Sequence, residues 1–215
     1  MYLPPAFRED GLGTLHAFMQ QYSFATLITQ HDGAPFASHL PMLWRPQAGP
    51  YGTLIGHMAR ANPQWQDFAT GQEALVIFQG PHAYVSPSWY AVHPSVPTWN
   101  YAVVHAYGRP QVITDRVVLY DILRELVETF EAPSATPWAL AVPDDYLQSM
   151  MQGIVGFRIA ISRLQGKYKL SQNRSLEDQR RVAVALRAQG DAQGTGVAAL
   201  MEQRVEMTPE QEIVP

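Results

Sequence analysis

The stretch from Phe78 to Tyr101 limits what this chain can fold into more than any other part. It holds Tyr84, Tyr90 and Tyr101, Trp89 and Trp99, His82 and His93, and the prolines Pro81, Pro87, Pro94 and Pro97. A core strand alternates apolar and polar residues and seldom admits proline, which cannot donate to the ladder. The run therefore predicts rigid turns that carry aromatic and hydrogen-bonding side chains, a wall against which a planar ligand can lie. The plainer alternative is a proline-rich loop pinned by aromatic packing.

Around this run the chain has antiparallel β grammar. Phe24 to Thr29 reads as a strand, His31-Asp32-Gly33 as a hairpin turn, and Pro35 to Leu43 as the partner strand. Gln47 to Gly52 reads as another turn before a strand from Thr53 to His57. Asn62-Pro63 starts a short helical turn through Gln64, Trp65 and Phe68. Strand signal returns at Ala74–Phe78, again from Asn100 to Ile113 with a break at Gly108-Arg109-Pro110, and finally from Ile154 to Leu164. Helices are expected over Glu9–Tyr22, Thr114–Glu131 with Asp115 as its cap, Pro143–Gln152, and Ser175–Ala188 from a capping box closed by Asp178. Gly190 to Gly196 reads as a loop before a last short helix, and the final ten residues as frayed. Seven strands with helices at their ends predict a mainly β, α+β fold, a small barrel with α additions.

Composition narrows the function. With 215 residues and 47% hydrophobic content a buried core is assured, and no apolar run is long enough to span a membrane. Met1-Tyr2-Leu3-Pro4-Pro5 lacks the basic and apolar regions of a secretory signal, and with no cysteine anywhere a cytoplasmic location is expected. The net charge of −4 argues against a dedicated nucleic-acid binder, yet residues 158–187 carry eight bases against Glu177 and Asp178. Such an island suits an isolated phosphate, a nucleic-acid backbone or acidic surface on a partner, and a solvated face is the plainer alternative. No nucleophile elbow, zinc-protease motif or phosphate loop is present, and the histidines lack metal-ligand spacing, so no metal and no catalytic acid–base pair is expected.

Five motifs in order resemble the PaiB-type family of FMN-binding negative transcriptional regulators. They are Met1–Phe7, Ser38-His39-Leu40-Pro41, Gly56-His57-Met58-Ala59-Arg60-Ala61-Asn62-Pro63-Gln64-Trp65, the aromatic run, and Gly166-Lys167-Tyr168-Lys169-Leu170-Ser171-Gln172-Asn173-Arg174. The resemblance implies an FMN-binding split barrel over residues 1–174, a helical extension over 175–215 packed on it, and a homodimer with the flavin at the subunit interface.

FMN needs cations for its phosphate, a flat wall for its ring and hydrogen bonds at its edge. The resemblance places the phosphate at the strand-to-helix junction His57–Met58–Ala59–Arg60–Ala61–Asn62, where Arg60 adjoins the backbone donors of Ala61 and Asn62. The paired Arg-Lys of some relatives is absent there, so a second basic source is expected at Lys169, Ser171 and Gln172. Trp99, Asn100 and Tyr101 are the candidate wall and edge donor, whereas His39 reads as a core histidine and Trp89 and Tyr90 as interface anchors.

Two outputs follow. One is flavin-dependent regulation with DNA contact through segment 158–187, chiefly Arg180, Arg181 and Arg187. The alternative is an FMN-dependent oxidoreductase or flavin reductase using NAD(P)H, since the cofactor would carry that chemistry. Heme binding is a third, weaker reading.

Overall fold

The structure, a computed structural model, describes residues 1–46 and 49–207. Its strands are β1 Arg8–Glu9, β2 Phe24–His31, β3 Ala34–Pro41, β4 Leu43–Arg45, β5 Thr53–Ala59, β6 Ala74–Val85, β7 Thr98–Ile113 and β8 Ile154–Lys169. Its α-helices are α1 Leu12–Gln21, α2 Arg116–Glu131, α3 Asp144–Gln152, α4 Leu176–Gln189 and α5 Ala192–Met207. The strands form one sheet in the order β3-β2-β6-β7-β8-β5-β4, with β1 added on β8. Two strands are absent from the sequence reading, whose seven counted β7 as two: β4, antiparallel to β5, and this two-residue β1, registered antiparallel as Arg8↔Lys167 and Glu9↔Gly166.

Local chemistry accounts for most boundaries. Asp32 and Gly33 both take positive φ, 49° and 80°, the twist a two-residue β2–β3 turn requires. The Asp115 carboxylate accepts from Val117 N at 2.8 Å and Val118 N at 3.3 Å, capping α2, whose Leu119, Ile122 and Leu126 are buried. Of the turn expected at Gln47–Gly52, Gln47 and Ala48 lie outside the described residues, and Gly49 and Gly52 take φ of 107° and 82°. The fraying expected for the last ten residues falls mostly on residues 208–215, also outside them.

Four expectations need correction. The aromatic run does not begin as a loop: β6 continues through Gly80-Pro81 to Val85, with alternating burial over most of its length. Its registered pairing with β2 ends at Ile77, so Pro81 falls where that flank demands no N–H. Gly108-Arg109-Pro110 does not break β7, and Gly108 is needed because a Cβ there would meet Ala160 O at 2.3 Å. The loop expected at Gly190–Gly196 is largely helix, α5 starting at Ala192. Gly196 sits against Pro81, where an added Cβ would lie 2.9 Å from the proline ring, so close packing offsets the poor helix propensity. Ser175 caps α4 by accepting from Asp178 N at 3.1 Å, but no capping box closes, because the Asp178 carboxylate accepts from Ala91 N at 2.6 Å instead.

The chain divides into two compact units. The first comprises Met1–Leu15, Gln79–Val104 and the chain from Gln165 onward; its core includes Val85, Val104, Leu170, Val182, Leu186 and Met201. The second comprises His16–Phe78 and His105–Leu164; its core includes Leu27, Leu54, Phe78, Phe157 and Ile159. Leu43, Ile55, Ile122 and Leu126 form an apolar cluster there, and Phe68 meets Phe157 edge-on with ring centroids 5.6 Å apart. Each such buried side chain contributes on the order of 1.5–3 kcal/mol. Among the described residues no helix is long and apolar enough to cross a membrane.

Candidate functional site

The residues expected to bind a cofactor fall into two groups, one in each unit. In the first unit, strand alternation sets the geometry. Along β7, Asn100 and Ala102 are buried while Trp99, Tyr101 and Val103 alternate with them, and Trp99 is 53% exposed. Gln79, His82, Trp99, Tyr101 and Val103 line a pocket of about 340 Å³. The His82 ring lies 6.2 Å from Trp99 at 34°, and Tyr84 meets the same indole edge-on at 6.0 Å. A shallow pocket walled by an exposed indole is a surface for a planar ring.

On β8, Lys167 and Lys169 are two residues apart and so share a side of the strand. The Lys169 ammonium donates to Trp99 O at 2.6 Å and to Thr98 Oγ1, and lies 5.8 Å from the Phe7 ring centroid. The Lys167 ammonium donates to Tyr2 O at 3.3 Å and stands 5.4 Å from both the Tyr2 and Tyr101 ring centroids. Lys167 is only 8% exposed. Among the described residues neither ammonium forms an ion pair with a carboxylate, in contrast to Arg204, which reaches Glu9 at 3.2 Å, and Arg187, which pairs with Glu202. Burial, and then the neighbouring charge of Lys167, lowers the pKa of Lys169. Two cations share a half-buried place with carbonyl oxygens and aromatic faces as partners, and an anion there would relieve both desolvation and mutual repulsion.

The other expected residues of this unit serve the turn that follows β8. Asn100, fully buried, donates to Ser171 Oγ at 2.9 Å and to Met201 Sδ at 3.5 Å. Ser171 takes φ 65°, a left-handed conformation that its bond to Asn100 helps to hold. Gln172 folds back, its Oε1 accepting from Leu170 N at 2.7 Å and its Nε2 donating to Tyr168 O. Trp99, Asn100, Tyr101, Lys169, Ser171 and Gln172 are thus brought together within one unit, and Lys167 joins them. Sequence reasoning passed over Lys167 and His82 as site residues; it ended the last strand at Leu164, whereas β8 runs on to Lys169 and so sets Lys167 and Lys169 on one side.

In the second unit, His57, Met58 and Ala59 end β5, registered against Gly156, Val155 and Ile154. Met58 is core. The Arg60 guanidinium donates to Gln152 O at 2.7 Å and Ile154 O at 2.8 Å, while its backbone N donates to Gly153 O at 2.8 Å. A cation is thereby fixed on the last carbonyl of α3, where the helix dipole favours it, and on the first of β8. Ala61 is exposed in the turn that Asn62 N closes on Ala59 O at 2.9 Å. Asn62 caps the 3-10 turn Pro63–Thr70 by accepting from Gln64 N at 3.0 Å, and its amide donates to Ser38 Oγ at 2.8 Å. Arg60 also lines a cleft of about 300 Å³ together with Trp65 and Arg116. His57 is turned to a different, apolar pocket.

Of the basic helix, Arg181 donates to Trp89 O at 3.0 Å and lies 3.8 Å from Glu177, and Arg187 is paired with Glu202, which raises its pKa. Two of the three arginines expected to meet DNA are therefore engaged within the protein.

Comparison with known proteins agrees with this architecture. A family model described as "Putative FMN-binding domain" matches residues 1–163. The protease synthase and sporulation protein PAI 2 of Bacillus subtilis is 38% identical over 207 residues, covering 95% of this chain and 98% of that protein. Among solved structures, the flavocytochrome Anf3 from Azotobacter vinelandii superposes with a TM-score of 0.61 at 17% identity, over 80% of this chain and 74% of that one. The FAD and heme binding protein from Mycobacterium smegmatis gives 0.57 at 18% identity, over 80% and 78%. The expected split β-barrel fold with C-terminal helices is borne out.

Proposed function

This chain belongs to the "Putative FMN-binding domain" family, the PaiB-type family that its motifs resemble, and from that premise we propose that it binds a flavin and that the flavin is FMN. The observation that carries the choice is the pair Lys167, buried, and Lys169, partly buried, which among the described residues meet no carboxylate, beside the pocket walled by Trp99 and His82. FMN matches both halves of that arrangement: a phosphate dianion for the ammonium groups and a flat ring for the indole. Bound there, the flavin would supply the redox chemistry. The protein's own part is to hold the phosphate with Lys167 and Lys169 and to shield one ring face with Trp99.

The proposal extends to a homodimer. Tyr84, Val92, Val96 and Trp99 leave apolar surface exposed in the same unit, and a second copy would cover it and enclose the flavin. Flavin-linked regulation is the output we favour, on the likeness to PAI 2. A role for α4 in DNA contact gains little support from arginines already engaged within the protein.

The test is the visible spectrum of purified protein, identification of the flavin released on denaturation, and titration of the stripped protein with FMN and riboflavin. FMN is expected to bind at least tenfold more tightly than riboflavin, and Lys167→Met with Lys169→Met to abolish that preference. Equal affinity for the two in the unaltered protein would refute the phosphate assignment. Failure to take up any flavin would refute the function.

A further inference from the structure

In the register of β8, β5 and β4, Arg158 stands opposite Ile55, and Ile55 opposite Leu43. Two residues along each strand, Ala160, Thr53 and Arg45 are aligned in the same way. Residues opposite one another or two apart share a face, so Arg158, Ile55, Thr53 and Arg45 belong to one side of the sheet. Ile122 and Leu126 of α2 pack on Leu43 and Ile55 there. Beside that contact the second unit holds a concavity of about 530 Å³, whose lining includes Arg45, Thr53, Ile55, Gln111, Val118 and Arg158.

The charges around it are unequally matched. Arg45 pairs with Glu125, and the Asp115 carboxylate accepts from Val117 N and Val118 N as the cap of α2. The Arg158 guanidinium donates through Nε to Gln111 Oε1 at 3.0 Å, and among the described residues it forms no ion pair. Arg158 is exposed, and its two terminal nitrogens remain for a partner from solvent.

We propose that this concavity binds a small aliphatic carboxylic acid as its carboxylate, the two oxygens on the Arg158 guanidinium and the carbon chain over Ile55, Val118 and Ile122. A guanidinium and a carboxylate match as two planar forks joined by parallel N–H···O bonds, and the Gln111 bond to Nε holds one fork in place. A single unmatched positive charge calls for a single negative one. A phosphate dianion would lie near the Asp115 carboxylate and the one that Arg45 carries, and would be repelled. The apolar lining is aliphatic and contains no aromatic ring, so a saturated chain fits it better than a flat one. Val112 and Val118 are exposed although they line the concavity, and a bound chain would cover them. The volume is that of a small-molecule site. These residues all lie in the second unit, and the proposal does not depend on the lysine and indole arrangement assigned to FMN.

The experiment is calorimetric titration of the full chain with 4-methylpentanoate, its neutral counterpart 4-methylpentanamide, and isopentyl phosphate. The acid is expected to bind, and the amide and the phosphate at least tenfold more weakly. Arg158→Gln should weaken the acid about 10- to 100-fold, the loss of a hydrogen-bonded charge pair, and leave the amide unchanged. Val118→Trp, which fills the concavity from the exposed side of α2, should abolish binding of the acid and serves if Arg158→Gln fails to fold. Equal affinity for acid and amide would overturn the proposal, as would equal affinity of the unaltered protein and Arg158→Gln for the acid. A tighter isopentyl phosphate would make this a phosphate site and overturn it, and so would no binding of the acid at its highest soluble concentration. Saturating FMN should leave the acid bound; displacement would put the flavin phosphate on Arg158 and overturn the proposal together with the assignment to Lys167 and Lys169.

Discussion

The turn after β5 and the end of β8 look alike as sequence, each with a cation beside amides and small residues, and the structure uses them in opposite ways. At the turn, Arg60 gives its guanidinium to two carbonyls and Asn62 gives both ends of its amide to Gln64 N and Ser38. At the end of β8, Lys167 and Lys169 meet carbonyls, a hydroxyl and aromatic faces, with no counter-charge among the described residues. Polar groups that find partners inside the protein hold the fold; charges left uncompensated are available to a ligand. The difference is in the partners, which residue type and spacing do not reveal.

The sharpest way to break this contrast is Gln64, at the centre of the turn's network. Its amide nitrogen donates to Leu27 O at 3.1 Å, Thr29 Oγ1 at 3.2 Å and Phe36 O at 3.1 Å, and the side chain is fully buried. Gln64→Leu keeps the volume and removes the donors, so urea denaturation should show a loss of about 2–3 kcal/mol. FMN affinity of the folded fraction should be unchanged. A variant as stable as the parent would mean that the network contributes nothing.

The complementary test is Lys167→Met with Lys169→Met. Here FMN affinity should fall about 10- to 100-fold, by analogy with the loss of charge-assisted contacts, while thermal stability without ligand should hold or rise because a repelling, desolvated pair has been removed. Added orthophosphate should raise the melting temperature of the parent and not of the double variant. A destabilised double variant would show that the lysines belong to the fold, as Arg60 does.

The fold was largely legible, for reasons that locate the failures. The Asp32-Gly33 turn and the Asp115 cap are short-range signals, and each appears where expected. Pro81, Gly108 and Gly196 misled because their local meaning is a break, whereas here close approach or an unpaired flank makes each of them acceptable. At the site, Trp99 and Tyr101 could be named from the aromatic run that carries them, whereas their alternation with Asn100 became visible only with β7 starting at Thr98. Lys167 could not be separated from a solvated cation without knowing that it is buried. The commitment of Asn100 to Ser171 and Met201 needed contacts across 71 and 101 residues.

A smaller effect is expected at the Asn62 cap. Asn62→Ala removes the acceptor for Gln64 N and the donor to Ser38, and should cost about 1 kcal/mol, with Asn62→Asp recovering part of it by keeping the acceptor. If the flavin phosphate sits at this turn instead, Asn62→Ala will weaken FMN more than it weakens the fold.

The smallest effect concerns acid. Burial holds the His105 pKa down to about 4, and lowers those of His57 and His16 in the same direction. The unfolded chain takes up these protons near pH 6.5. The stability these rings contribute is therefore whole above pH 6.5 and is lost as pH falls, for His105 until about 4, because only the unfolded state binds the proton in that window. His31 has the opposite sign. A hydrogen bond from its Nδ1 to Asp67 at 2.7 Å raises its pKa, so its contribution is whole below pH 6.5 and fades as pH rises through the folded value. It is too solvent-exposed to offset three lowered histidines. Urea titrations between pH 4 and 8 should show net destabilisation on the acid side. His105→Gln should make that slope shallower and Asp67→Asn steeper, and identical slopes in all three proteins would remove the histidines from the account of acid stability.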